Sequence, residues 1–401
     1  MGEVPEPDVG EHDVLVEVRA ASVNLLDVKI RDGEFKLILP YRVPFVLGHD
    51  LAGLVVRVGS AVRSFAPGDE VYARPGTDTI GTFAELAAVH EDDLALEPAT
   101  LTMEESAAPL VALTAWQALV ERANLQPGQK ILVHAGSGGV GTIAIQLARH
   151  LGAYVATTTG TANTGWVKDL GADVVIDYRR EDFEKVVHDY DVVLDSLGGQ
   201  TLEKSLRVLK PGGIVIGIAG PPDPGFAREI GASLAVRLAT VLLSGRTRLR
   251  ARRRRVRYSF LFMKAGGEQP RAIAALVDAG AIRPVIDRVF PFEAVKDALA
   301  YVESGRAKGK VVVTMADLPP IVHARTTLTA IPSTEGHGPT GDLNPPGAVT
   351  ASTTRAPHAR STSVRTRSGT SAQSTLDPSA GGPVTPPASP SRPMTGPGKR
   401  I

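Results

Sequence analysis

The sequence predicts an α/β fold: a doubly wound parallel sheet joined to a small β-barrel or sandwich. Three observations predict it. The stretch Gln129-Lys-Ile-Leu-Val-His-Ala-Gly-Ser-Gly-Gly-Val-Gly141 sets a short apolar run before glycines at G-x-G-x-x-G spacing. Further short apolar runs follow, each separated by a polar, helix-compatible segment, which is the pattern of a parallel sheet covered on both faces. Residues 1–95 instead carry strands punctuated by Gly and Pro, the texture of a small barrel or sandwich.

In the first region, Val14 to Val18 alternates as a half-buried strand. Val46 to Val58 is strand-like, with Gly48 and Gly53 as expected bulges or bends. Pro67-Gly-Asp69 is a turn ahead of the strand Glu70 to Ala73, and Gly81 to Val89 is another strand. Met103 to Glu121 reads as one helix leading into the glycine loop.

The loop is read from its context. Ile131 to Val133 forms a buried strand, and Val140, Ile143, Ala144, Leu147 and Ala148 recur at helical spacing after it. A strand, a tight glycine turn and a helix together make a dinucleotide site. Glycine lets the backbone approach a pyrophosphate closely, and the helix start offers unpaired N–H groups to it. The residues expected there are Gly136, Ser137, Gly138, Gly139, Val140 and Gly141.

Ala153 to Thr159 is the next strand, and Trp166 to Leu170 ends the next helix. An NAD site wants a carboxylate near the end of that strand. Here the chain has Thr157-Thr-Thr-Gly-Thr-Ala-Asn163, with hydroxyls and an amide that accommodate a 2′-phosphate. NADPH is therefore expected over NADH, with Thr159, Thr161 and Asn163 at the site. Lys168, Tyr178 or Arg179 would supply contacts from nearby turns.

Val174 to Ile176, Val192 to Leu194 and Ile214 to Ile216 are further strands, the last preceded by a turn at Leu209 to Gly213. Phe226 to Leu243 reads as an amphipathic helix, followed by a basic cluster from Arg246 to Arg257. Tyr258 to Met263 is a strand and Pro270 to Ala279 a helix. Val285-Ile286, the helix Phe292 to Glu303 and the strand Lys310 to Thr314 close the folded part. From about Asp317 the composition shifts to Thr, Ser, Pro, Gly, Ala and Arg with no apolar periodicity, which predicts a disordered tail over 317–401.

Hydrophobic residues make up 43% of the chain and the net charge is +1, the balance of a soluble globular protein. Cysteine is absent, which removes disulfides, a thiol nucleophile and any Cys-ligated zinc site. The longest apolar stretch, Ile230 to Leu243, is interrupted by Arg237 and falls short of the ~20 residues that span a bilayer. The acidic, proline-broken N-terminus reads as neither a signal peptide nor a myristoylation site, so a cytoplasmic location and no membrane are expected. The basic cluster would suit RNA or an anionic membrane surface. Lacking interleaved aromatics, it is read as a solvated helix end and loop, with nucleic acid not expected.

With these segments in place, the chain resembles the zinc-free quinone oxidoreductase (zeta-crystallin-like) and alkenal reductase branch of the medium-chain dehydrogenase/reductase superfamily. The carrying motifs are Ser22-Val-Asn-Leu-Leu-Asp27, Gly48-His-Asp-Leu-Ala-Gly53, Pro67-Gly-Asp-Glu-Val71 and Leu113-Thr-Ala-Trp-Gln-Ala-Leu119. Gly128 to Arg149, Asp195-Ser-Leu-Gly-Gly199 and Gly305-Arg-Ala-Lys-Gly-Lys-Val311 complete the set. The resemblance implies a GroES-like barrel from residues 1–95 with 285–316 returning to it, and a Rossmann domain over 96–284. It also implies a homodimer, with Tyr258 to Met263 as the pairing strand.

The chemistry so implied is metal-free hydride transfer from NADPH to a small-molecule electrophile, a quinone or an α,β-unsaturated carbonyl compound. Asn24 maps to the position facing nicotinamide and substrate, Asp27 orients it or caps its segment, and Thr114 lies beside the nicotinamide. Lys308 joins the cofactor set. His49 stands where the family's zinc-ligand histidine falls, but without cysteine it is expected to line the cleft or bond the backbone. The branch's tyrosine near Phe35 is missing, which leaves Tyr41, Tyr72 or solvent as the proton donor. Gly160 and Asn163 replace the usual Ser and Lys of the 2′-phosphate site. The usual first hairpin is curtailed, so an exposed barrel edge is expected. Two rival readings stand beside this one: an NADPH-binding protein with little turnover, and RNA binding through Arg246 to Arg257.

Overall fold

The computed structural model describes residues 2–34, 41, 44–77, 79–107, 111–266 and 268–315, all within the compact unit Met1–His323. The expected tail and the Phe35 position lie outside the described residues. In chain order, β1 (Asp13–Val23) runs into α1 (Leu25–Arg31), followed by β2 (Leu51–Val58), β3 (Glu70–Ala73), β4 (Leu86–His90) and β5 (Leu94–Leu96). Next come α2 (Met103–Ser106), α3 (Val111–Trp116), β6 (Lys130–Val133), α4 (Gly139–His150), β7 (Tyr154–Thr159), α5 (Thr164–Asp169), β8 (Val174–Asp177) and β9 (Tyr190–Asp195). The chain continues through α6 (Gly199–Val208), β10 (Leu209–Gly217), α7 (Pro224–Glu229), α8 (Leu234–Arg253) and β11 (Arg257–Phe260). Last are α9 (Gln269–Asp278), β12 (Ile286–Pro291), α10 (Val295–Glu303) and β13 (Lys310–Thr314).

Two sheets result. The six-stranded sheet is parallel throughout, in the order β11-β10-β9-β6-β7-β8, with β11 and β8 at its edges. Its strands are apolar on both faces, as the continuous runs predict. Ile131, Val133, Val192, Leu194, Ile214 and Ile216 enter one core cluster, while Leu132, Val193 and Val215 enter another across the sheet. The first cluster is closed by α3, α4 and α9, and Gly141 to Ala148 of α4 are buried all round.

The seven-stranded sheet follows the order β12-β13-β1-β2-β3-β5, with β4 paired to β1. β1 holds it together. Its first half pairs with β4 on one edge, its last four residues pair with β13, and β2 covers the opposite edge. Register shifts at Leu15/Val16 and Val18/Ala20 bend β1, which is how one strand reaches so many partners. Gly53 sits opposite the second shift.

Several element boundaries differ from the sequence reading. The strand expected from Val46 begins only at Leu51. The segment before it is held against the loop ahead of β4 by Phe83 N–H to the Leu47 carbonyl (2.9 Å) and Gly81 N–H to the Gly48 carbonyl (3.0 Å). That loop shortens the expected strand Gly81 to Val89 to β4. The helix expected over Met103 to Glu121 is α2, α3 and a π-helical stretch Gln117–Arg122. The wider turn aims the buried Gln117 amide at the Lys264 carbonyl (2.8 Å) and at Gln269 (2.7 Å). The turn at Leu209 to Gly213 lies inside β10 as a register shift. The helix expected over Phe226 to Leu243 is two helices. Gly231 takes the left-handed conformation (φ +63°) that ends α7, and Ser233 caps α8, which runs on through the arginines to Arg253.

Candidate active site

The glycine loop joins β6 to α4 where the spacing places it, but its glycines serve the protein's own packing first. A methyl group on Gly136 would stand 2.1 Å from the Thr157 hydroxyl, and one on Gly141 2.2 Å from the Ala135 carbonyl. Both are therefore demanded by close packing within the loop. The left-handed residue is Ala135 (φ +52°), not a glycine. Gly138 is less tightly held: a methyl there meets only the Ala135 carbonyl, at 3.3 Å, which a shift of a few tenths of an ångström would relieve. Ser137 to Val140 are half-buried, and the first turn of α4 presents N–H groups without intrahelical acceptors. This is an open cradle at a positive helix end, suited to a diphosphate.

The end of β7 lies beside it. Thr157 Oγ1 donates to the Val133 carbonyl (2.7 Å), and Thr158 Oγ1 accepts from the Ala135 N–H (3.3 Å). Thr159 is also buried, and its hydroxyl has no partner among the described residues. Beyond Gly160, the Tyr178 hydroxyl and Arg179 Nε stand 3.6 and 3.7 Å from where a Gly160 methyl would project. Arg179 thus brings a cation beside Gly160, where the usual serine is missing. Asn163 turns away and accepts from Trp166 Nε1 (3.2 Å), while Lys168 is exposed on α5. Thr161 Oγ1 donates to Asp177 Oδ2 (2.6 Å). Asp177 is a carboxylate that the linear reading misses, since it comes from the end of β8. That Thr161 hydrogen bond, with the Arg179 N–H and the charges of Arg180 and Arg179, holds its carboxyl below the ordinary range.

A buried polar cluster faces the same loop from the seven-stranded sheet. Asn24, at the start of α1, is gripped from both ends. Lys310 Nζ donates to its Oδ1 (2.7 Å), and its Nδ2 donates to Asp50 Oδ2 (2.9 Å). Asp50 also accepts from Ser22 Oγ (2.6 Å) and lies 3.4 Å from Lys310 Nζ. Burial pushes the Asp50 carboxyl up. The charges of Lys310 and Arg74 and the hydrogen bonds from Ser22 and Asn24 outweigh that, leaving it below the ordinary range. Burial lowers the Lys310 ammonium against the pull of Asp50 and Asp27.

Of the two roles expected for Asp27, the structure has it at the cap. One oxygen accepts from the Asn24 N–H (2.7 Å), capping α1, and the other meets His49 Nδ1 at 2.5 Å. His49 therefore bonds a carboxylate rather than the backbone, and its buried Nε2 has no partner among the described residues. Among the described residues, no group of three or more His, Cys, Asp or Glu is placed to hold a metal ion.

The two halves meet through the C-terminal motif. Gly309 N–H donates to the Ser137 carbonyl (2.8 Å), and Gly309 bridges Gly138. The Lys310 stem lies 3.1 Å from where a Gly139 methyl would stand. The lysine brought to the site is thus Lys310. Lys308, favoured by the linear reading, is exposed, with its N–H on Asp287 (3.0 Å). Lys310 opens β13, whereas Lys308 precedes the strand, across Gly309, which takes the left-handed conformation (φ +77°) and breaks the strand alternation between them. Thr114 is half-buried on α3, one turn beyond Val111, whose Cγ1 is 3.5 Å from the same Gly139 position. Tyr72 is fully buried and donates to the Pro270 carbonyl (2.6 Å), so it is no proton donor for a cleft. Tyr41 donates to the Thr77 carbonyl (2.9 Å).

Comparison with known proteins agrees with this architecture. Residues 10–99 match the family described as alcohol dehydrogenase GroES-like domain, and residues 170–313 the family described as zinc-binding dehydrogenase. The chain is 38% identical to a 2-methylene-furan-3-one reductase of Solanum lycopersicum, over 77% of this chain and 74% of that protein. It is 36% identical to a chloroplastic NADPH-dependent alkenal/one oxidoreductase of Arabidopsis thaliana, over 77% and 73%. The solved quinone oxidoreductase from Coxiella burnetii superposes with a TM-score of 0.68 at 30% identity, covering 78% of this chain and 93% of that one.

Proposed function

The chain belongs to the medium-chain dehydrogenase/reductase superfamily, and from that premise we propose that it is an NADPH-dependent, metal-free oxidoreductase that passes hydride to quinones or α,β-unsaturated carbonyl compounds. One observation carries the reading: the open helix end at Gly138–Val140 and the gripped Asn24 are joined through Gly309 and Lys310. Relatives named as alkenal/one, furanone and quinone reductases support the substrate class.

The residues fit the dinucleotide. Ser137 to Val140 would receive its diphosphate, with Gly136 and Gly141 shaping the loop. The unpartnered Thr159 hydroxyl, Tyr178 and Arg179 would serve the ribose and its phosphate. Thr161 engages Asp177 in a hydrogen bond, while Asn163, bonded to Trp166, and the exposed Lys168 would be peripheral contacts. Bound there, NADPH supplies the hydride. Asn24 is held in one orientation by Lys310 and Asp50, so it orients the substrate without rearranging. Asp27 fixes the α1 start that carries Asn24, and Thr114 lies one turn beyond Val111, which packs against the start of α4. Metal independence rests on a sequence without cysteine and on His49 being committed to Asp27. Homodimer formation through the edge strand β11, and a cytoplasmic location, belong to the same proposal.

The test is NADPH oxidation across 1,4-quinones, 2-alkenals and cyclic enones, with and without a chelator. Turnover with at least one class, unchanged by chelator and cut at least ~100-fold in Asn24→Ala, is expected. Turnover that needs added zinc would overturn the mechanism.

A further inference from the structure

Helix α8 is inverted. Its protein-facing line is Val236, Thr240, Ser244, Thr247 and Ala251, small and largely polar. The two most buried hydroxyls bond back to the helix itself, Thr240 Oγ1 to the Arg237 carbonyl (2.8 Å) and Ser244 Oγ to the Thr240 carbonyl (2.7 Å). The leucines point outward: Leu234 is 74% exposed, Leu238 57%, Leu242 81% and Leu249 50%. At about 100° per residue these four fall within roughly 80° of one another, opposite the buried line. By the same spacing Arg237 and Arg248 border the stripe on one side, and Arg246 and Arg253 on the other. A soluble surface helix turns its leucines in; this one spends its serine and threonines on the core and leaves its apolar face to something else.

The charge says what that is. From Ile230 to Gly267 the sequence has nine arginines and no Asp or Glu. Of these arginines, Arg250 is held by Glu203. We propose that α8 is a membrane-surface helix that lies flat on an anionic phospholipid bilayer, its leucines in the acyl boundary and its arginines at headgroup level. No helix among the described residues is long and apolar enough to cross a membrane, so the contact is peripheral. This revises the expectation of a merely solvated basic cluster. A second copy of the chain fits less well, because a two-fold contact would set arginine-rich faces together with no acidic residue on α8 to answer them. RNA would leave the leucines uncovered and find no aromatic ring on α8 to stack against.

The experiment is vesicle flotation of the full chain, with phosphatidylcholine alone and with phosphatidylcholine–phosphatidylglycerol mixtures. Gel filtration and RNA retention are run beside it, and NADPH fluorescence and Tm serve as controls. The chain should float with the anionic vesicles and not with the neutral ones. Leu238→Ser/Leu242→Ser should weaken this by roughly ten-fold per leucine, and Arg252→Ala/Arg253→Ala by roughly five-fold per arginine at low salt. NADPH binding and Tm should be unchanged in both variants. Flotation absent, or equal in wild type and the leucine variant, overturns the proposal. So does a leucine-dependent dimer without flotation, or RNA retention that needs the arginines while vesicles are ignored.

Discussion

Lys310→Met is the most informative single perturbation of the site. Asp50 and Lys310 are 3% and 4% exposed, and they lie 3.4 Å apart with Asn24 bonded to both. Removing one member of a buried ion pair leaves the other charge without compensation, typically at about 3–5 kcal/mol. Arg74, also buried, keeps its charge within reach of Asp50, which places this case near ~3 kcal/mol. Asp50→Asn should cost a comparable or smaller amount, because the stranded lysine can shed its proton when burial already disfavours its charge. The double variant Lys310→Met/Asp50→Asn removes both charges and should return to within ~1–2 kcal/mol of the wild type. Urea unfolding of the four proteins measures this cycle. Activity should not return with stability, since Asn24 has lost the Lys310 ammonium on its Oδ1 and the Asp50 carboxylate on its Nδ2. A single Lys310→Met variant within ~1 kcal/mol of wild type, or a double variant that merely sums the singles, would refute the reasoning.

Two further perturbations follow from the same packing. Gly138→Ala should cost less stability than Gly141→Ala yet weaken NADPH affinity, because its methyl needs only a small shift of the Ala135 carbonyl, at 3.3 Å, and adds bulk at the loop proposed to hold the diphosphate. Gly141→Ala, which drives a methyl against the Ala135 carbonyl at 2.2 Å, should instead destabilise the fold by ~1–3 kcal/mol; thermal melts and NADPH titration separate the two. His134 is buried, bonded to Thr158 and Ser205, and burial lowers its imidazole from 6.5 to about 3. The unfolded chain takes up this proton below about pH 6.5 and the folded chain does not until about pH 3, so stability falls as pH drops through that window, by ~2 kcal/mol at pH 5. His134→Gln should flatten the difference in urea midpoint between pH 7.5 and pH 5; an unaltered slope would show that the buried imidazole is not its source.

The sequence by itself determined what depends on neighbours along the chain. Continuous apolar runs and helical spacing after a glycine turn act within a few residues, and they produced the parallel sheet and the nucleotide loop where they were expected; the cap of Asp27 on Asn24 is equally local. Even the end of α7 was written locally, in Gly231 and Ser233. The tertiary structure decided which side chains meet. It chose Lys310 over Lys308, because Lys310 opens β13 beside β12 and reaches Asn24, while Lys308 lies before the strand, across the left-handed Gly309. It brought Asp177 from β8 to Thr161, and Arg179 over Gly160, because parallel strands align ends that are far apart in sequence. It also turned the threonines and serine of α8 inward and its leucines outward. Periodicity marks a helix with an apolar stripe, but the direction that stripe faces is set by the surface the helix packs against.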